Sequence, residues 1–571
     1  MRLNNLRALS GALLTVVPLV AAIANAQSVQ RPQPTAVQPA DLIVTNARIY
    51  TVDDTHPFVS ALAVRNGRVQ FVGSNGEALQ LRGQATHVID AAGQTIIPGM
   101  VDAHGHLFEL GTSLRNVDLT DTRSLNDVVN VVAARVKQTP TGQWVVGRGW
   151  DQNKWGDTRF PTHDALSRIS PNNPVVLDRI DGHAILANAA AMRAANITAA
   201  TQAPSGGRIE RDAQGNPTGV FVDNATELVQ RVVPPLPHDE MRAATLAAIA
   251  EANRFGLVGM HDAGEPRNVI DLFEELAKAG TFNLRAYVMI GDDSSAIEHY
   301  FQRGPQSALY DGHIWVRTIK LYADGALGSR GAALLDPYTD DPTNTGLLKS
   351  TPQHLQDVAT RALQHGFQVA THAIGDRGNR IALDAYQAAL TAVPTVDHRF
   401  RIEHVQILDH ADIPRFAQLG VIPSMQAVHQ ASDMAWASNR LGYARTLGAY
   451  AWRSLLNTGV IIPNGSDTPV ERVNPLYSFH AAVSRQDDFN WPPGGWFPEQ
   501  RMTRQEALES MTIWPAYAAF QETLTGSLTP GKYADFVILD RDIMTIPASE
   551  ILGTHVSATY IGGRAVFERS R

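Results

Sequence analysis

The stretch TIIPGMVDAHGH, from Thr95 to His106, decides the fold. An apolar run leads into a polar end that carries His104 and His106, two positions apart. Because side chains alternate along an extended strand with a period of two, both imidazoles point to the same side. Two imidazoles on one side of a strand end can bind one metal ion. The stretch therefore predicts a metal site at the mouth of a barrel.

Downstream of this stretch, strand-like and helix-like segments alternate, which favours a parallel sheet with helical crossovers. The strand candidates number eight, as in a TIM barrel, and cover residues 100–106, 257–262, 284–290, 314–322, 367–372, 400–404, 420–424 and 460–464. We therefore predict an α/β fold with a TIM-like (β/α)8 barrel over residues 99–524. Residues 107–256 are too many for one crossover, so this part contains an insertion after the first barrel strand. Such an insertion overhangs the strand ends, where loops shape substrate pockets.

Both ends of the chain carry short strand-like runs, over residues 41–98 and 525–571. Asn66-Gly67 separates two of these runs and is a strong hairpin signal, because both residues tolerate the positive φ of a tight turn. Chain termini often lie close together. We therefore predict that the two ends form one small composite β-sandwich.

The first 26 residues are typical of a signal peptide. Arg2 and Arg7 precede an apolar stretch over 8–23, and Ala24-Asn25-Ala26 has the small-x-small form of a cleavage site. The apolar stretch is shorter than the roughly 20 residues of a membrane span, so we expect no stable membrane insertion after cleavage. Residues 27–40 are interpreted as a linker. The expected destination is export, either to the periplasm or outside the cell.

Composition narrows the chemistry. The 571-residue chain is 44% hydrophobic and has a formal net charge of −8 without a long basic run, which argues against nucleic acid as a partner and favours a small-molecule substrate. It has no cysteine, so disulfides, thiolate zinc sites and cysteine nucleophiles are excluded. Any metal must therefore be held by nitrogen and oxygen. Nothing in the sequence indicates the oligomeric state.

Three further residues extend the histidine pair. His372, His404 and Asp467 follow the fifth, sixth and eighth predicted strands. Each lies at the carboxyl end of its strand, the face on which barrel active sites form. We therefore predict one metal centre that joins these three residues to His104 and His106.

Lys320 lies within the fourth predicted strand, where its neighbours Ile319 and Leu321 would face the helices and Lys320 the barrel interior. An unpaired ammonium there is costly. An ion pair, with Asp324 as the candidate partner, removes this cost, and so does conversion of the lysine to a carbamate that bridges two metal ions. The strand pattern alone favours the ion pair.

Substrate contacts are weaker predictions. His183 and Arg377 are candidates, with a loop-bracing hydrogen bond as the alternative for each. Trp150 is a third candidate, with packing inside the insertion as its alternative. No role is predicted for His429, Asp433 or Trp436.

The whole mature chain resembles the amidohydrolase superfamily, and within it the branch (amidohydrolase family 3) that includes N-substituted formamide deformylase. The resemblance rests on Pro98–His106, Gly149-Trp150-Asp151, Lys320–Ala326, Thr371–Asp376, Ile402-Glu403-His404, Ser466–Val470 and Gly531–Asp535. It implies that His104, His106 and Asp467 bind the more buried metal, that His372 and His404 bind a second one, and that Lys320 is carboxylated and bridges both. This reverses the preference for the ion pair.

The expected cofactor is one or two divalent ions, with zinc favoured because it accepts nitrogen and oxygen ligands. Metal-activated hydroxide would attack a carbonyl carbon, and Asp467 would act as general base and then general acid. The predicted reaction is hydrolysis of an amide or N-formyl carbon–nitrogen bond that is not a peptide bond. The alternatives are a mononuclear deaminase with unmodified Lys320, an esterase or lactonase, and a periplasmic binding protein without catalysis.

Overall fold

A computed structural model describes residues 38–570. The predicted signal peptide and residues 27–37 of the predicted linker lie outside the described residues, and the first strand begins at Ala40, the last residue assigned to that linker. Within the part that is described, no helix combines the length and the apolar character needed to cross a membrane.

The strands, in chain order, are β1 (Ala40–Thr45), β2 (Arg48–Tyr50), β3 (Phe58–Val59), β4 (Ala61–Arg65), β5 (Arg68–Gly73), β6 (Arg82–Asp90), β7 (Thr95–Pro98), β8 (Met100–Gly105), β9 (Val117–Asp118), β10 (Val145–Trp150), β11 (Val175–Arg179), β12 (Ala184–Ala187), β13 (Gly207–Arg211), β14 (Pro217–Asp223), β15 (Leu257–Glu265), β16 (Arg285–Ile290), β17 (Gln306–Ala308), β18 (Ile314–Tyr322), β19 (Gln368–Ala373), β20 (Arg401–His404), β21 (Ile422–Ser424), β22 (Phe536–Leu539), β23 (Val556–Ile561) and β24 (Arg564–Glu568).

The α-helices, in chain order, are α1 (Asn75–Leu79), α2 (Leu107–Ser113), α3 (Leu125–Val136), α4 (Asp164–Ile169), α5 (Ala189–Ala194), α6 (Glu227–Gln230), α7 (His238–Arg254), α8 (Arg267–Lys278), α9 (Ser294–Arg303), α10 (Leu309–Gly312), α11 (Pro352–Gln364), α12 (Asp376–Ala392), α13 (Ile413–Leu419), α14 (Ala427–Asp433), α15 (Ala437–Thr446), α16 (Trp452–Leu456), α17 (Pro475–Ser484), α18 (Arg504–Glu509) and α19 (Ile513–Ala518).

The barrel sheet has the order β21-β20-β19-β18-β16-β15-β8, and all these neighbours are parallel. The predicted TIM-like α/β fold is confirmed. The prediction of an eighth regular strand over 460–464 is wrong, because this segment meets β21 only through an isolated parallel bridge between Met425 and Asn464. Pro463 has no N–H to donate, and the N–H of Asn464 bonds to Ser510 instead. The segment nevertheless closes the barrel, since Asn464 accepts a hydrogen bond from Ala103 of β8 at 3.3 Å.

Both chain ends contribute to a pair of sheets beside the barrel. One sheet has the order β5-β4-β1-β6, and the other has the order β24-β23-β22-β7-β2-β3. The second sheet joins the termini directly, because β7 pairs with β22, with Ile97 opposite Val537. Apolar residues of both sheets, including Val44 and Phe536, share one buried cluster. The two chain ends therefore form one packed β unit.

The long segment between β8 and β15 contains a fourth sheet, which has six strands in the order β13-β14-β12-β11-β10-β9. It lies in the chain between α2 and α7 and has buried clusters of its own. Trp150 is fully buried in one of these clusters, and its indole N–H donates to the carbonyl of Leu177 at 2.8 Å. The prediction that Trp150 contacts substrate is corrected accordingly, since its ring packs the core of the insertion.

A buried ion pair ties the barrel to the C-terminal strands. Arg285, at the start of β16, donates to both carboxylate oxygens of Asp535 at 2.6 and 2.9 Å, and its guanidinium lies 3.9 Å from the ring centre of Tyr533. Both charged side chains are almost completely buried. The Gly531–Asp535 motif is thus explained by packing.

We expect Asp535→Ala to lower the free energy of unfolding by about 3–5 kcal/mol, because it leaves the guanidinium buried without its carboxylate. The midpoint of urea unfolding, followed by tryptophan fluorescence, measures this change. Asp271→Ala, which removes an exposed partner 3.6 Å from Arg267, is the matched control and should cost less than about 1 kcal/mol. Equal midpoints for the two variants would contradict the structural role of the buried pair.

Candidate metal centre

The strand ends bring all six predicted metal ligands together. Ligand atoms of His104, His404 and Asp467 lie within 4.8 Å of one another. The remaining three surround this group. The Nε2 atom of His106 is 3.0 Å from Asp467 Oδ1, Nζ of Lys320 is 3.3 Å from His104 Nε2, and the ring centres of His372 and His404 are 4.4 Å apart.

His104 is oriented from behind by a buried carboxylate. Its Nδ1 lies 2.6 Å from Glu403 Oε2, and Glu403 in turn pairs with Arg401 at 2.7 Å. Arg401 and His104 hold the pKa of Glu403 well below its usual value, although burial acts in the opposite direction. A carboxylate that accepts one ring N–H leaves the other nitrogen free as a ligand, as is common in metal sites. The Nε2 atom of His104 is therefore directed into the centre.

Asp467 contacts three histidines of the centre, His104, His106 and His429. Its two carboxylate oxygens lie 3.0 Å from His106 and 3.3 Å from His429, and its own N–H donates to the carbonyl of His104 at 2.6 Å. Burial alone would raise the pKa of Asp467, but the hydrogen bonds from His106 and His429 outweigh it and keep this pKa well below the usual value. The residue has a φ of 58°, an uncommon conformation that surrounding contacts must maintain. Asp467 is thus an ionised, fixed acceptor.

Lys320 makes no ion pair with Asp324, so the ion pair that the strand pattern alone favoured, before the family resemblance reversed that preference, is wrong. Asp324 accepts three backbone N–H groups, from Ala333, Ile374 and Gly375, at 2.8–3.0 Å. These bonds commit its carboxylate to the turns after β18 and β19. The ammonium of Lys320 is buried beside His104 and 4.8 Å from the ring centre of Tyr322, and burial lowers the pKa of Lys320 to about 8.

The protonation states of three histidines of the centre suit a metal ion, whereas the hydrogen bond to Asp467 outweighs burial and raises the pKa of His106. Burial lowers the pKa of His104 to about 4, with Lys320 adding to the effect, and it lowers the pKa values of His372 and His404 well below normal. Neutral imidazole is the form that binds metals. The Nδ1 atom of His404 is buried and has no hydrogen-bond partner. A divalent ion would supply a partner for this nitrogen, so the residues present fit the metal that the donor set indicates.

The structure separates the three predicted substrate contacts. His183 lies beside the centre, with its ring centre 4.9 Å from that of His372, and its Nδ1 is 2.7 Å from Asp223 Oδ1. The side chain of Arg377 is exposed in the first turn of α12, and its backbone N–H donates to Asp376 and to the carbonyl of Ala333. Trp150 is the core residue described above.

Sequence reasoning missed several residues that complete the centre. His429 lies on α14, directly after β21, and is 3.3 Å from Asp467 and 3.4 Å from Glu471. Its place after a barrel strand on the catalytic face was a usable signal. Glu403 precedes a predicted ligand in a short buried strand, and a charged residue there signals an internal partner. Asp223, forty positions from His183, gave no such signal.

Comparison with known proteins agrees with this geometry. A model of the amidohydrolase family matches residues 87–567. Protein LONG AFTER FAR-RED 3 of Arabidopsis thaliana is 35% identical over 541 residues, which cover 92% of each chain. N-substituted formamide deformylase of Arthrobacter pascens is 29% identical over 93% of this chain and 99% of its own. An uncharacterized metal-dependent hydrolase from Pyrococcus furiosus has a similar structure, with a TM-score of 0.69 and 28% identity over 88% of this chain and 100% of its own.

The barrel, its histidine-rich centre and these similarities define a metal-dependent hydrolase. The chain belongs to the amidohydrolase family. It is an enzyme that hydrolyses carbon–nitrogen bonds other than peptide bonds, and its substrate is a small molecule.

Proposed function

We propose that the enzyme hydrolyses the amide or N-formyl bond of a small molecule and that Asp467 carries the proton. The observation that carries this proposal is the position of Asp467, ionised between His106 and His429 and still 12% exposed at its side chain. The similarity to the deformylase of Arthrobacter pascens supports an N-formyl or related group as substrate.

The ligands proposed for the metal are His104, His106, His372, His404, Asp467 and the modified Lys320. A divalent ion bound there, zinc by preference, would lower the pKa of a water to about 7 and would polarise the scissile carbonyl. Asp467 accepts a proton from the attacking water at a carboxylate oxygen and passes it to the leaving nitrogen. His429 holds the carboxylate in place, and Glu403 keeps the ring of His104 fixed.

The test is the product spectrum of the zinc-loaded enzyme on three groups of substrates: formamides such as N-benzylformamide, N-acyl amines and cyclic amides. We expect release of the acid and the amine from at least one group. Benzyl formate is the matched ester, and adenine tests deamination. Turnover of the ester or of adenine, without turnover of any amide, would replace this proposal by the esterase or deaminase alternative.

We also propose that the metal-loaded enzyme carries a carbamate on Lys320 and holds two ions. The ammonium has no carboxylate within 4.0 Å among the described residues, and with a pKa of about 8 a fraction of it is neutral amine near neutral pH. The neutral Nζ forms a bond to the carbon of CO2 and loses one proton, so a negative group replaces a positive one.

Native mass spectrometry after loading with zinc in ¹³C-bicarbonate should show two ions and one added CO2 per chain. Lys320→Met should lose the CO2 and at least one ion. Lys349→Met is the matched control, because Nζ of Lys349 lies 4.8 Å from the same Tyr322 ring yet is not a proposed ligand. A wild-type chain with one ion and no CO2 would contradict this proposal and support the mononuclear alternative, in which Lys320 is unmodified.

A further inference from the structure

His183 and Asp223 form a fixed pair at the edge of the inserted sheet. They flank the ladder between β12 and β14, where Ala184 lies opposite Val222. Two hydrogen bonds join them, from the backbone N–H of Asp223 to the carbonyl of His183 at 2.8 Å and between His183 Nδ1 and Asp223 Oδ1 at 2.7 Å. The backbone N–H of His183 also donates to Asp181, which pairs with Arg179. The imidazole is therefore held in one orientation.

The loop after β18 is shaped around the carboxylate of Asp223. A Cβ atom at Gly325 would lie 2.4 Å from Asp223 Oδ2, and one at Gly331 would lie 2.3 Å from it, so any side chain at either position would displace this carboxylate. Asp223 itself has a φ of 52°, a strained conformation for a residue other than glycine. Its side chain is fully buried, and Oδ2 has no hydrogen-bond partner. The backbone conformation of Asp223 and the two glycines beside it thus hold Oδ1 of Asp223 against Nδ1 of His183.

The ring of His183 faces the metal centre. It lies 4.9 Å from the ring of His372, and its side chain retains 12% exposure while Asp223 has none. Within residues 38–570, Nδ1 is bonded to Asp223 and no hydrogen bond to Nε2 is present. Because a carboxylate accepts the Nδ1 proton, the neutral ring presents the lone pair of Nε2, which is a hydrogen-bond acceptor.

We propose that Nε2 of His183, with its Nδ1–H donated to Asp223, accepts a hydrogen bond from the N–H of the substrate's scissile amide. This inference rests on the proposed amide hydrolysis and names a residue that determines its specificity. His183 contacts the substrate, and Asp223 is a positioning residue that fixes the ring tautomer. The site then selects amides that carry an N–H over N,N-disubstituted ones, which leave a half-buried acceptor unpaired.

The experiment compares kcat/KM for N-benzylformamide and N-benzyl-N-methylformamide. The ratio of the two should fall at least about tenfold from wild type to His183→Leu, the effect of one lost hydrogen bond to a desolvated acceptor. His183→Gln, whose amide oxygen is again an acceptor, should restore part of the ratio. Because the same substrate pair is used throughout, the steric effect of the methyl group cancels. A ratio that is unchanged in His183→Leu would overturn the proposal.

His163→Leu is the matched control in the same insertion, since Nδ1 of His163 bonds to Ser167 at 2.9 Å and the residue makes no ring contact with the centre. It should leave the ratio unchanged. If the ratio of kcat/KM values falls as much in His163→Leu as in His183→Leu, the effect comes from the stability of the insertion, and the specific role of His183 is overturned.

Asp223→Asn tests the tautomer. The side-chain amide of the asparagine leaves fewer buried donors unpaired if its N–H donates to Nδ1 of His183. The His183 ring should then carry its proton on Nε2, and the enzyme should lose its preference for substrates with an N–H. ¹⁵N-histidine NMR of the metal-loaded enzyme reports the tautomer directly. A ring that keeps its Nδ1–H in this variant, or a ratio that survives the switch, overturns the assignment.

A binding measurement separates this inference from the proposed reaction. In ¹⁵N-histidine-labelled, zinc-loaded enzyme, N-methylbenzamide should bind more tightly than N,N-dimethylbenzamide and should shift the Nε2 resonance of His183. If no amide is turned over but this preference is present, the proposed reaction fails and the role of His183 stands. Equal affinities with no shift at His183 overturn its role even if amides are hydrolysed.

Discussion

Removal of the metal with a chelator should lower the rate of amide hydrolysis by about a thousandfold or more, and added zinc should restore it. Lewis-acid stabilisation by a bound ion contributes several kcal/mol, and each 1.36 kcal/mol corresponds to a factor of ten. No side chain of the centre can replace the ion. The pKa of Asp467 is well below normal, so without a bound ion this carboxylate is too weak a base to deprotonate water. The imidazoles of His372 and His404 are buried and also have lowered pKa values.

The same experiment has a second readout in thermal stability. An ion that binds only the folded chain stabilises it by about 2.7 kcal/mol at a free concentration of 100 Kd. Zinc should therefore raise the melting temperature of wild type and have a smaller effect on His404→Asn. His238→Asn, which alters an exposed histidine paired with Glu275, should respond like wild type. Full activity of a metal-free enzyme, verified by elemental analysis, would contradict the metal mechanism.

The strand ends of the centre were predictable because two simple rules act together. Alternation along a strand fixes which side His104 and His106 share, and parallel strands of a barrel bring their carboxyl ends to one face. His372 and His404 followed from the same reasoning. Asp467 lies beside these histidines although the segment before it is not a regular strand, since its position after Pro463 is set by closure of the barrel against β8.

The hydrogen-bond partners of the charged side chains were less predictable, because they depend on turns and on pairing between distant segments. Asp324 is only four positions from Lys320, yet its carboxylate is occupied by N–H groups of residues 333, 374 and 375. Asp223 reaches His183 through an antiparallel register inside the insertion, which no periodic pattern specifies. Trp150 lies in Gly149-Trp150-Asp151, one of the motifs on which the family resemblance rests, but its ring packs in the core of the insertion.

Asp467→Asn should lower kcat by about 10²–10⁴-fold, the range expected when a general base is removed. Asparagine keeps the size of the side chain and one acceptor oxygen, so the hydrogen bond from His429 can persist while the capacity to take a proton is lost. KM should change little, since the substitution removes no proposed contact with the bound substrate. Steady-state kinetics on the best substrate of the amide screen, together with metal content per chain, measure these effects.

The matched control for this substitution is Asp433→Asn. Asp433 is a second carboxyl near the centre, bonded to Tyr450 at 2.6 Å and to Gln406 at 2.7 Å, and burial raises the pKa of Asp433 to about 7. A carboxyl that is already half-protonated near neutral pH is well replaced by an amide, so kcat should change little. If the two variants lose activity equally, the loss reflects the packing around α14 and not proton transfer by Asp467. If Asp467→Asn alone loses activity and keeps its zinc, proton transfer by its carboxylate is the step that the substitution removes.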